Sequence, residues 1–479
     1  MPCQLNDFGV ISRYLPKGDR VHTEAGLRAD QRHKLITEGS IHKTFFILAG
    51  PAVATMSMEF ILHLTDMIWV GRIGGPVPVA IVTSSMFSLW IVWSLISVLT
   101  VGVVAIVSRY FGAKNYDQAS YASSQAIGLG LTSGVIITII GVAAAPLAFM
   151  IMNTSPEVTA GGITYLRIQF SVSLIFIMIE LLGSIFRATG DTKTPMLISF
   201  VAVGANIILD PIFIFGWGPF PRMETTGAAL ASAVAISIAG LVYVAVLKAG
   251  KLSIGIDLSS IKKPDIRLGW RITKIGMPLS IAGVLFSLVY FFINRIATEF
   301  GDVAVAALGI GNRCESISYL LCFGASQATA TMVGQNLGAG KPDRAEKSGW
   351  YSLFYTGIFT GVITILFLTI PDTITRVFID DPRVEPIVRQ YLMIIGVSQI
   401  FMASEIVMEG AFSGAGDTLP PMLVGIFWSV SRIPMAYILC FPLGFGVDGI
   451  WWVISGTTII KGTIIAVWFR RGNWKLKNV

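Results

Sequence analysis

Charged side chains are scarce in this sequence. Asp, Glu, Lys and Arg make up 13% of the 479 residues, whereas soluble domains carry about 25%. Hydrophobic residues make up 54%, and the mean hydropathy is +0.72. Such a chain cannot hide its apolar surface in a water-soluble core, so lipid must surround much of it. This composition excludes an ordinary soluble enzyme.

Cysteine is also rare, and its spacing carries no chemistry. The four cysteines form no CxxC motif and no cluster with histidine, which argues against a zinc site or a disulfide framework. They are Cys3, Cys314, Cys322 and Cys440. The N-terminal stretch before the first apolar segment lacks the apolar core and the cleavage site of a signal peptide. Residues 1–42 are therefore expected to form a cytosolic tail.

Long basic tracts and nucleotide-binding motifs are missing as well. The net charge is +7, but the basic residues lie in short segments between apolar stretches, which argues against nucleic acid as a partner. The stretch Gly338-Ala-Gly340-Lys341-Pro342 resembles part of a P-loop but lacks the first glycine and the final Ser or Thr. Neither ATP-driven pumping nor a cofactor is expected.

Apolar stretches long enough to cross a membrane follow one another from residue 43 onwards. They predict an all-α integral membrane protein with twelve transmembrane helices. Their approximate ranges are 43–71, 80–108, 120–150, 160–187, 194–216, 226–247, 270–299, 303–334, 348–370, 387–413, 419–443 and 447–469.

Lys and Arg lie mainly in alternate connections between these stretches, which predicts an orientation with both termini in the cytosol of a cell-membrane protein. The outer connections hold only Arg72, Arg222, Arg376 and Arg383. The most basic connection divides the chain near its middle. The predicted units are an N-lobe at 43–247, a cytosolic inter-lobe loop at 248–269, a C-lobe at 270–469 and a cytosolic tail at 470–479.

An internal repeat supports this division. Asp191 and Asp417 occupy matching motifs. Pro156 and Pro382 are separated by the same number of residues, and we call this separation the repeat offset. Because the offset spans six helices, both copies enter the membrane from the same side. Two pseudo-symmetric six-helix lobes are predicted, and transporters use such repeats to place a site between halves that rock against each other. A duplicated but passive bundle is the alternative.

Polar residues within the apolar stretches predict a cation site in the first lobe. Asp66 lies in the first helix, and Asn206 and Asp210 lie one turn apart on the fifth. Ser232 of the sixth helix is expected at a similar depth. Two neighbouring carboxyl groups in a low dielectric favour binding of a proton or of Na⁺ between them. A helix-end acid facing water and a structural Asn–Asp pair are the alternatives.

Further residues suggest how such a site would act. Pro51 in the first helix is a candidate bending point, or a fixed kink. Acids at membrane depth either attract a cationic substrate or pair with Arg167, Arg313 or Arg432. These acids are Glu59, Glu180, Glu405 and Glu409.

At these residues the chain resembles the multidrug and toxic compound extrusion (MATE) family, in particular its archaeal and DinF-like members. The resemblance covers residues 40–470 and implies alternating access with efflux of cationic amphiphiles by H⁺ or Na⁺ antiport. It implies a coupling site at Asp66, Asn206, Asp210 and Ser232, which would also hold Na⁺. No acid lies between Pro278 and Asn294, so the second-lobe site of other members is expected to be absent. The motifs that carry the resemblance are Leu64-Thr-Asp66, Gly112-Ala-Lys114, Arg187-Ala-Thr-Gly-Asp-Thr-Lys-Thr-Pro195, Asn206 to Pro211, Gly227-Ala-Ala-Leu-Ala-Ser232 and Val333-Gly-Gln-Asn-Leu-Gly-Ala339.

The sequence therefore predicts a monomeric exporter of small organic cations or amphiphiles, embedded in membrane lipid. A flippase for lipids or lipid-linked precursors is the alternative function, because related folds do that work. A channel or a non-transporting scaffold fits the buried acids and the duplicated lobes less well.

Overall fold

The computed structural model describes residues 17–152, 154–378, 381–477 and 479. Within these ranges the regular secondary structure is helical. The described residues form seventeen α-helices and one closing 3₁₀ turn, Asn473–Leu476. The α-helices are α1 (Lys17–Thr37), α2 (Ile41–Gly71), α3 (Pro76–Gly112), α4 (Tyr116–Met152), α5 (Pro156–Ser171), α6 (Ser173–Ala188), α7 (Lys193–Phe215), α8 (Glu224–Lys248), α9 (Leu258–Ile261), α10 (Ile266–Thr298), α11 (Asp302–Gly338), α12 (Pro342–Thr369), α13 (Pro371–Phe378), α14 (Glu385–Gly396), α15 (Gln399–Ala415), α16 (Leu419–Cys440) and α17 (Asp448–Arg470).

All twelve predicted spans correspond to helices at the predicted places. Among the described residues, nine helices are long and apolar enough to cross a membrane, and two bent pairs each supply one further span. These pairs are α5–α6, bent by 47°, and α14–α15, bent by 55°. The remaining span is α11, whose 37 residues include many buried polar side chains because it lies at the centre of the bundle. The predicted fold class is confirmed.

The break in each bent pair shows the repeat in three dimensions. Val172 separates α5 from α6, and Ser398, its counterpart under the repeat offset, separates α14 from α15. The first lobe comprises α2 to α8 and the second comprises α10 to α17. Each lobe has its own apolar core, because helix backbones satisfy their hydrogen bonds internally and leave apolar faces to pack.

The two lobes approach each other closely at a reciprocal pair of glycines. A Cβ atom on Gly112, at the end of α3, would collide with the carbonyl oxygen of Gln335 on α11. A Cβ atom on Gly338, at the end of α11, would collide in the same way with the carbonyl oxygen of Arg109 on α3. The repeat offset relates Gly112 to Gly338 and Arg109 to Gln335, so the crossing obeys the repeat.

Hydrogen bonds that join the lobes directly lie in the half of the bundle nearest these glycines. Thr331 donates to the carbonyl of Arg187 at 3.0 Å, and Gln335 donates to the carbonyl of Ala188 at 2.7 Å. Ser280 donates to Ser94 near the centre. We call this half the terminal side, because α1 and the C-terminal residues pack there. The lobes are therefore held together on the terminal side.

The first helix fastens the two lobes from the terminal side. On the first lobe, Arg32 pairs with Asp191 at 2.7 Å, and His33 bonds the carbonyl of Gly112 at 2.9 Å. On the second lobe, Arg344 donates to the carbonyl of Ile36. Within the region expected to be a tail, residues 17–37 thus form a docked helix. Residues 1–16 lie outside the described residues.

Candidate functional site

The four residues predicted to form a cation site come together inside the first lobe. Asn206 on α7 donates from Nδ2 to Asp210 Oδ1 and to Ser232 Oγ on α8, each at 3.3 Å. Ser232 Oγ donates to Asp66 Oδ2 on α2 at 3.5 Å. Three helices therefore meet at one polar cluster, which we call the first-lobe site. The part that these residues play in transport stays a prediction.

Burial and unmet hydrogen bonding suit this site to a small cation. Asn206 and Asp210 are fully buried, and Asp66 and Ser232 are 7% and 5% exposed. Among the described residues, Asp66 Oδ1, Asn206 Oδ1 and Asp210 Oδ2 are buried without a hydrogen-bond partner. Unsatisfied buried acceptors are unfavourable, and hard cations prefer oxygen ligands of this kind. The residues present thus fit a proton or a Na⁺ ion.

The two carboxyl groups face each other within hydrogen-bonding reach. No Lys or Arg makes an ion pair with either of them in the described part of the chain. Two side chains that the sequence did not single out complete the surroundings. His63 lies one turn before Asp66, and Tyr165 of α5 faces both acids. Their polar atoms are close enough to influence any charge held at the site.

Prolines adjoin the site and the opposite end of α2. Pro211 follows Asp210 and removes the donor that the Ile207 carbonyl would use in a regular helix. Pro51 lies inside α2 on the terminal side and frees the carbonyl of Ile47 in the same way. Thr192 donates to that carbonyl at 3.4 Å. A change of bend at Pro51 would therefore be transmitted to the turn before α7.

Glu59 on α2 and Glu180 on α6 lie close to one another in the first lobe, near Arg187. Both are partly exposed, and within the described residues neither makes an ion pair. A role for these two acids in binding a cationic ligand stays a prediction. Glu409 on α15 likewise makes no ion pair in the described chain.

Glu405 pairs differently from what the sequence suggested. Its partner is Lys461 on α17, at 2.6 Å, rather than Arg167, Arg313 or Arg432. Both side chains are largely buried, at 17% and 3% exposed. Lysine in the middle of an apolar span is the signal that sequence reasoning overlooked, because such a residue is expected to have a partner.

A second polar cluster in the second lobe was also missed. Tyr391 on α14 lies 3.0 Å from both Glu315 and Asn312 of α11, and Gln399 bonds Glu315 at 3.5 Å. Arg432 on α16 donates instead to hydroxyl groups of α17. Glu315 lies in the eighth span, beyond the stretch from Pro278 to Asn294 in which the family resemblance places a second-lobe acid. The second lobe thus has a polar interior of its own.

In the described part of the chain, twelve spans form two repeated lobes that are joined on the terminal side, each with a buried polar cluster, and this arrangement is that of a helical membrane transporter. A model of the MatE family matches residues 51–212 and 278–438, one match for each lobe. The chain belongs to the MatE family. The resemblance read from its motifs is confirmed, and members of this family are membrane transporters rather than enzymes.

Curated relatives match almost the whole chain. A probable multidrug resistance protein NorM of Thermotoga maritima is 27% identical over 449 residues, which cover 92% of this chain and 94% of the relative. The multidrug export protein MepA of Staphylococcus haemolyticus is 24% identical and covers 88% and 92%. A FAD transporter of Shewanella oneidensis is also 24% identical and covers 88% and 91%.

Solved structures share the same fold. A MOP superfamily transporter from Pyrococcus furiosus has a TM-score of 0.87 at 23% identity, covering 93% of this chain and 99% of that one. A multidrug resistance MATE transporter in an outward-facing conformation has a TM-score of 0.85 at 24% identity, covering 92% and 98%. At this identity, the likeness establishes the architecture alone.

Proposed function

We propose that this protein exports amphiphilic, cationic organic compounds across the cell membrane in exchange for H⁺ or Na⁺. The observation that carries the proposal is the first-lobe site, in which three buried oxygens of Asp66, Asn206 and Asp210 have no partner among the described residues. The multidrug exporters among the relatives support the substrate class. Several basic residues lie on the terminal side, which supports placing that side in the cytosol.

The first-lobe site supplies a reason for coupling. Without a cation, two adjacent carboxyl groups repel each other and leave oxygens unsatisfied, so the helices that carry them gain little from packing together. A bound proton or Na⁺ favours the arrangement in which α2, α7 and α8 meet. Cation binding therefore shifts the population between two arrangements of the lobe. The bend at Pro51 and the hydrogen bond from Thr192 to the Ile47 carbonyl would carry the shift along α2.

The surface between the lobes suits an amphiphilic substrate. Trp93 of the first lobe packs on Phe323 of the second, with ring centroids 6.1 Å apart, and Phe323 stacks on Tyr319. Tyr319 and Trp93 are each more than 40% exposed. Glu59 and Glu180 add negative charge on the first-lobe side. A flat organic cation would find both aromatic faces and acids there.

Transport by inverted vesicles tests the proposal. Uptake of a fluorescent cationic dye is measured under a pH gradient and, separately, under a Na⁺ gradient. Gradient-driven uptake is expected for the wild type and is expected to fall to background in Asp66→Asn and Asp210→Asn. Asp302→Asn is the matched control, because Asp302 is an exposed acid in the first turn of α11.

The outcomes separate the alternatives. Uptake that survives both substitutions at normal protein levels would place the coupling elsewhere. A wild type that moves no dye under either gradient, but translocates a fluorescent lipid in proteoliposomes, would favour the flippase function instead.

A further inference from the structure

The internal repeat allows the first-lobe site to be compared, position by position, with the same place in the second lobe. Helices α7 and α16 begin at Lys193 and Leu419, which the repeat offset relates to each other. The contacts between helices confirm this register. Gly227 of α8 packs against the backbone where Phe213 joins Ile214, and Gly449 of α17 packs against the backbone where Leu439 joins Cys440. Phe213 and Leu439 are themselves counterparts under the repeat offset.

Under this register, Arg432 of α16 stands where Asn206 stands on α7, and Ala436 stands where Asp210 stands. Ile454 takes the position of Ser232, since each lies five residues after the packed glycine. Helix α10, the counterpart of α2, contains no Asp or Glu between Ile266 and Thr298. The second lobe has therefore lost both carboxyl groups of the site and gained a guanidinium.

Arg432 is buried, and no counter-ion contacts it among the described residues. The residue is 2% exposed. Nε donates to Thr457 at 2.8 Å, and Nη2 donates to Thr458 at 3.0 Å. Nη1 is buried without a hydrogen-bond partner among the described residues. The ring centroid of Phe286 lies 5.9 Å from the guanidinium carbon.

Carboxyl groups lie nearby but not in contact. Within the described chain, no Asp or Glu forms an ion pair with Arg432, and Glu405 is engaged by Lys461. Glu315, held by Tyr391, lies within electrostatic range of the guanidinium. Tyr391 is the repeat counterpart of Tyr165, which faces the two acids of the first lobe. In each lobe, the tyrosine therefore adjoins a region that combines acids with a site for positive charge.

We propose that Arg432 is a resident cation, which takes in the second lobe the place that an exchangeable cation takes in the first. An arginine side chain keeps its charge at every accessible pH and cannot leave. The second lobe is therefore permanently charged, and only the first lobe binds and releases a coupling ion. This inference rests on the proposed function, and it assigns the ion exchange of that function to one lobe.

Cation binding to purified protein in detergent tests the inference. Bound Na⁺ is counted with a radioactive tracer, and bound protons are counted from proton release when dye is added. Wild-type binding is expected to disappear in the double variant Asp66→Asn/Asp210→Asn. Arg432→Asn, which introduces the first-lobe residue, is expected to bind one cation more than the wild type, because the second-lobe acids lose their resident charge.

Two further variants separate charge from structure. Arg432→Lys keeps a positive charge and is expected to keep the wild-type count. Thr457→Val/Thr458→Val removes the hydrogen bonds of Arg432 but not its charge, so the melting temperature should fall while the count stays unchanged. A purely structural role for Arg432 would instead lower the melting temperature of Arg432→Asn without changing its count, and that result would overturn the inference.

The remaining outcomes are also decisive. Cation binding that persists in Asp66→Asn/Asp210→Asn would sink the proposed function, whatever Arg432 does. If Arg432→Asn does not fold, Glu315→Gln and Glu409→Gln in the wild-type background replace it. Unchanged counts in both support a second lobe that exchanges no ion, whereas a count reduced by one in either overturns the inference.

Discussion

The two lobes share one backbone plan and differ in how they hold charge. In the first lobe, Asp66 and Asp210 lie together with no basic partner in the described chain. In the second lobe, Lys461 pairs with Glu405, and Arg432 stands in the repeat position of Asn206. The acids of the first-lobe site thus meet no Lys or Arg side chain in the described chain, whereas the second lobe places basic side chains among its acids.

This difference shows which features a duplicated fold retains. Backbone contacts are kept, as in the reciprocal approaches of Gly112 and Gly338, because any side chain there would separate the lobes. Interior polar side chains diverge, because each lobe needs only a local balance of charge and hydrogen bonding. The repeat thus fixes geometry and leaves the chemistry of each lobe free to change.

The largest effect on stability is expected in the second lobe. Lys461→Met leaves Glu405 buried without its partner, and breaking a buried pair in this way costs about 3–5 kcal/mol. The free energy of unfolding, measured with denaturant in micelles, should fall by that amount. Lys461→Met/Glu405→Gln is expected to recover most of the loss. A single variant as stable as the wild type would show that the ion pair contributes nothing.

A smaller loss of stability is expected at the crossing of α3 and α11, and it should be similar for the two glycines that form the crossing. Gly112→Ala and Gly338→Ala each force a Cβ atom against a carbonyl oxygen of the other lobe, and overpacking of this kind costs about 1–3 kcal/mol. The two variants should lose similar stability, and both should slow transport. Gly309→Ala is the control, because a Cβ atom there meets no heavy atom within 4 Å. Unequal losses would break the symmetry inferred for the crossing.

In the first lobe, neutralising an acid is expected to stabilise the protein rather than destabilise it. Without coupling cation, Asp66→Asn removes one of two adjacent carboxyl groups and should raise the free energy of unfolding by about 1 kcal/mol, since uncompensated buried charge is unfavourable. Ser232→Ala removes a hydrogen bond without changing the charge and should lower the free energy of unfolding slightly. Thermal unfolding in Na⁺-free buffer at alkaline pH, where neither Na⁺ nor a proton occupies the site, checks both. A less stable Asp66→Asn would indicate that the carboxylate already has a partner.

The contact of α1 with the first lobe should contribute about 1.5–3 kcal/mol, the usual range for a hydrogen bond to a charged group. Asp191→Asn weakens the bond from Arg32 and should increase hydrogen exchange in residues 26–37. Asp417→Asn is its repeat counterpart, and Asp417 contacts Lys477 instead. Exchange in α1 should stay unchanged in that control. Equal exchange in the two variants would mean that Arg32 does not hold the helix.

The smallest expected effect is a dependence of the docking of α1 on pH. Burial lowers the pKa of His33 below its ordinary value, against the opposing influence of Asp30, Glu38 and the Gly112 carbonyl, while Lys114 lowers it further. The undocked helix therefore binds protons more readily, so docking weakens as the pH falls below about 6.5, the ordinary value for histidine. Protease cleavage within α1 should quicken in that range for the wild type, but not for His33→Gln.

Several features could be predicted from the sequence because they depend on local pattern and on the solvent. Apolar stretches long enough to cross lipid must become helices, which accounts for the twelve spans. The spacing of Asn206 and Asp210 places them on one helix face, and equal depth brings Asp66 and Ser232 to the same level. These side chains meet in the structure.

Other features were decided by the tertiary structure alone. Three features depend on how the helices are rotated and packed. They are the pairing of Lys461 with Glu405, the lack of a carboxyl group in contact with Arg432 among the described residues, and the docking of α1 on both lobes. Residues far apart in the chain meet in these contacts, and a local pattern carries no information about rotation. The sequence thus determined the spans, the repeat and the acids of the first lobe. Only the packing of the helices decided that Lys461 meets Glu405, whereas Asp66 and Asp210 meet no Lys or Arg side chain among the described residues.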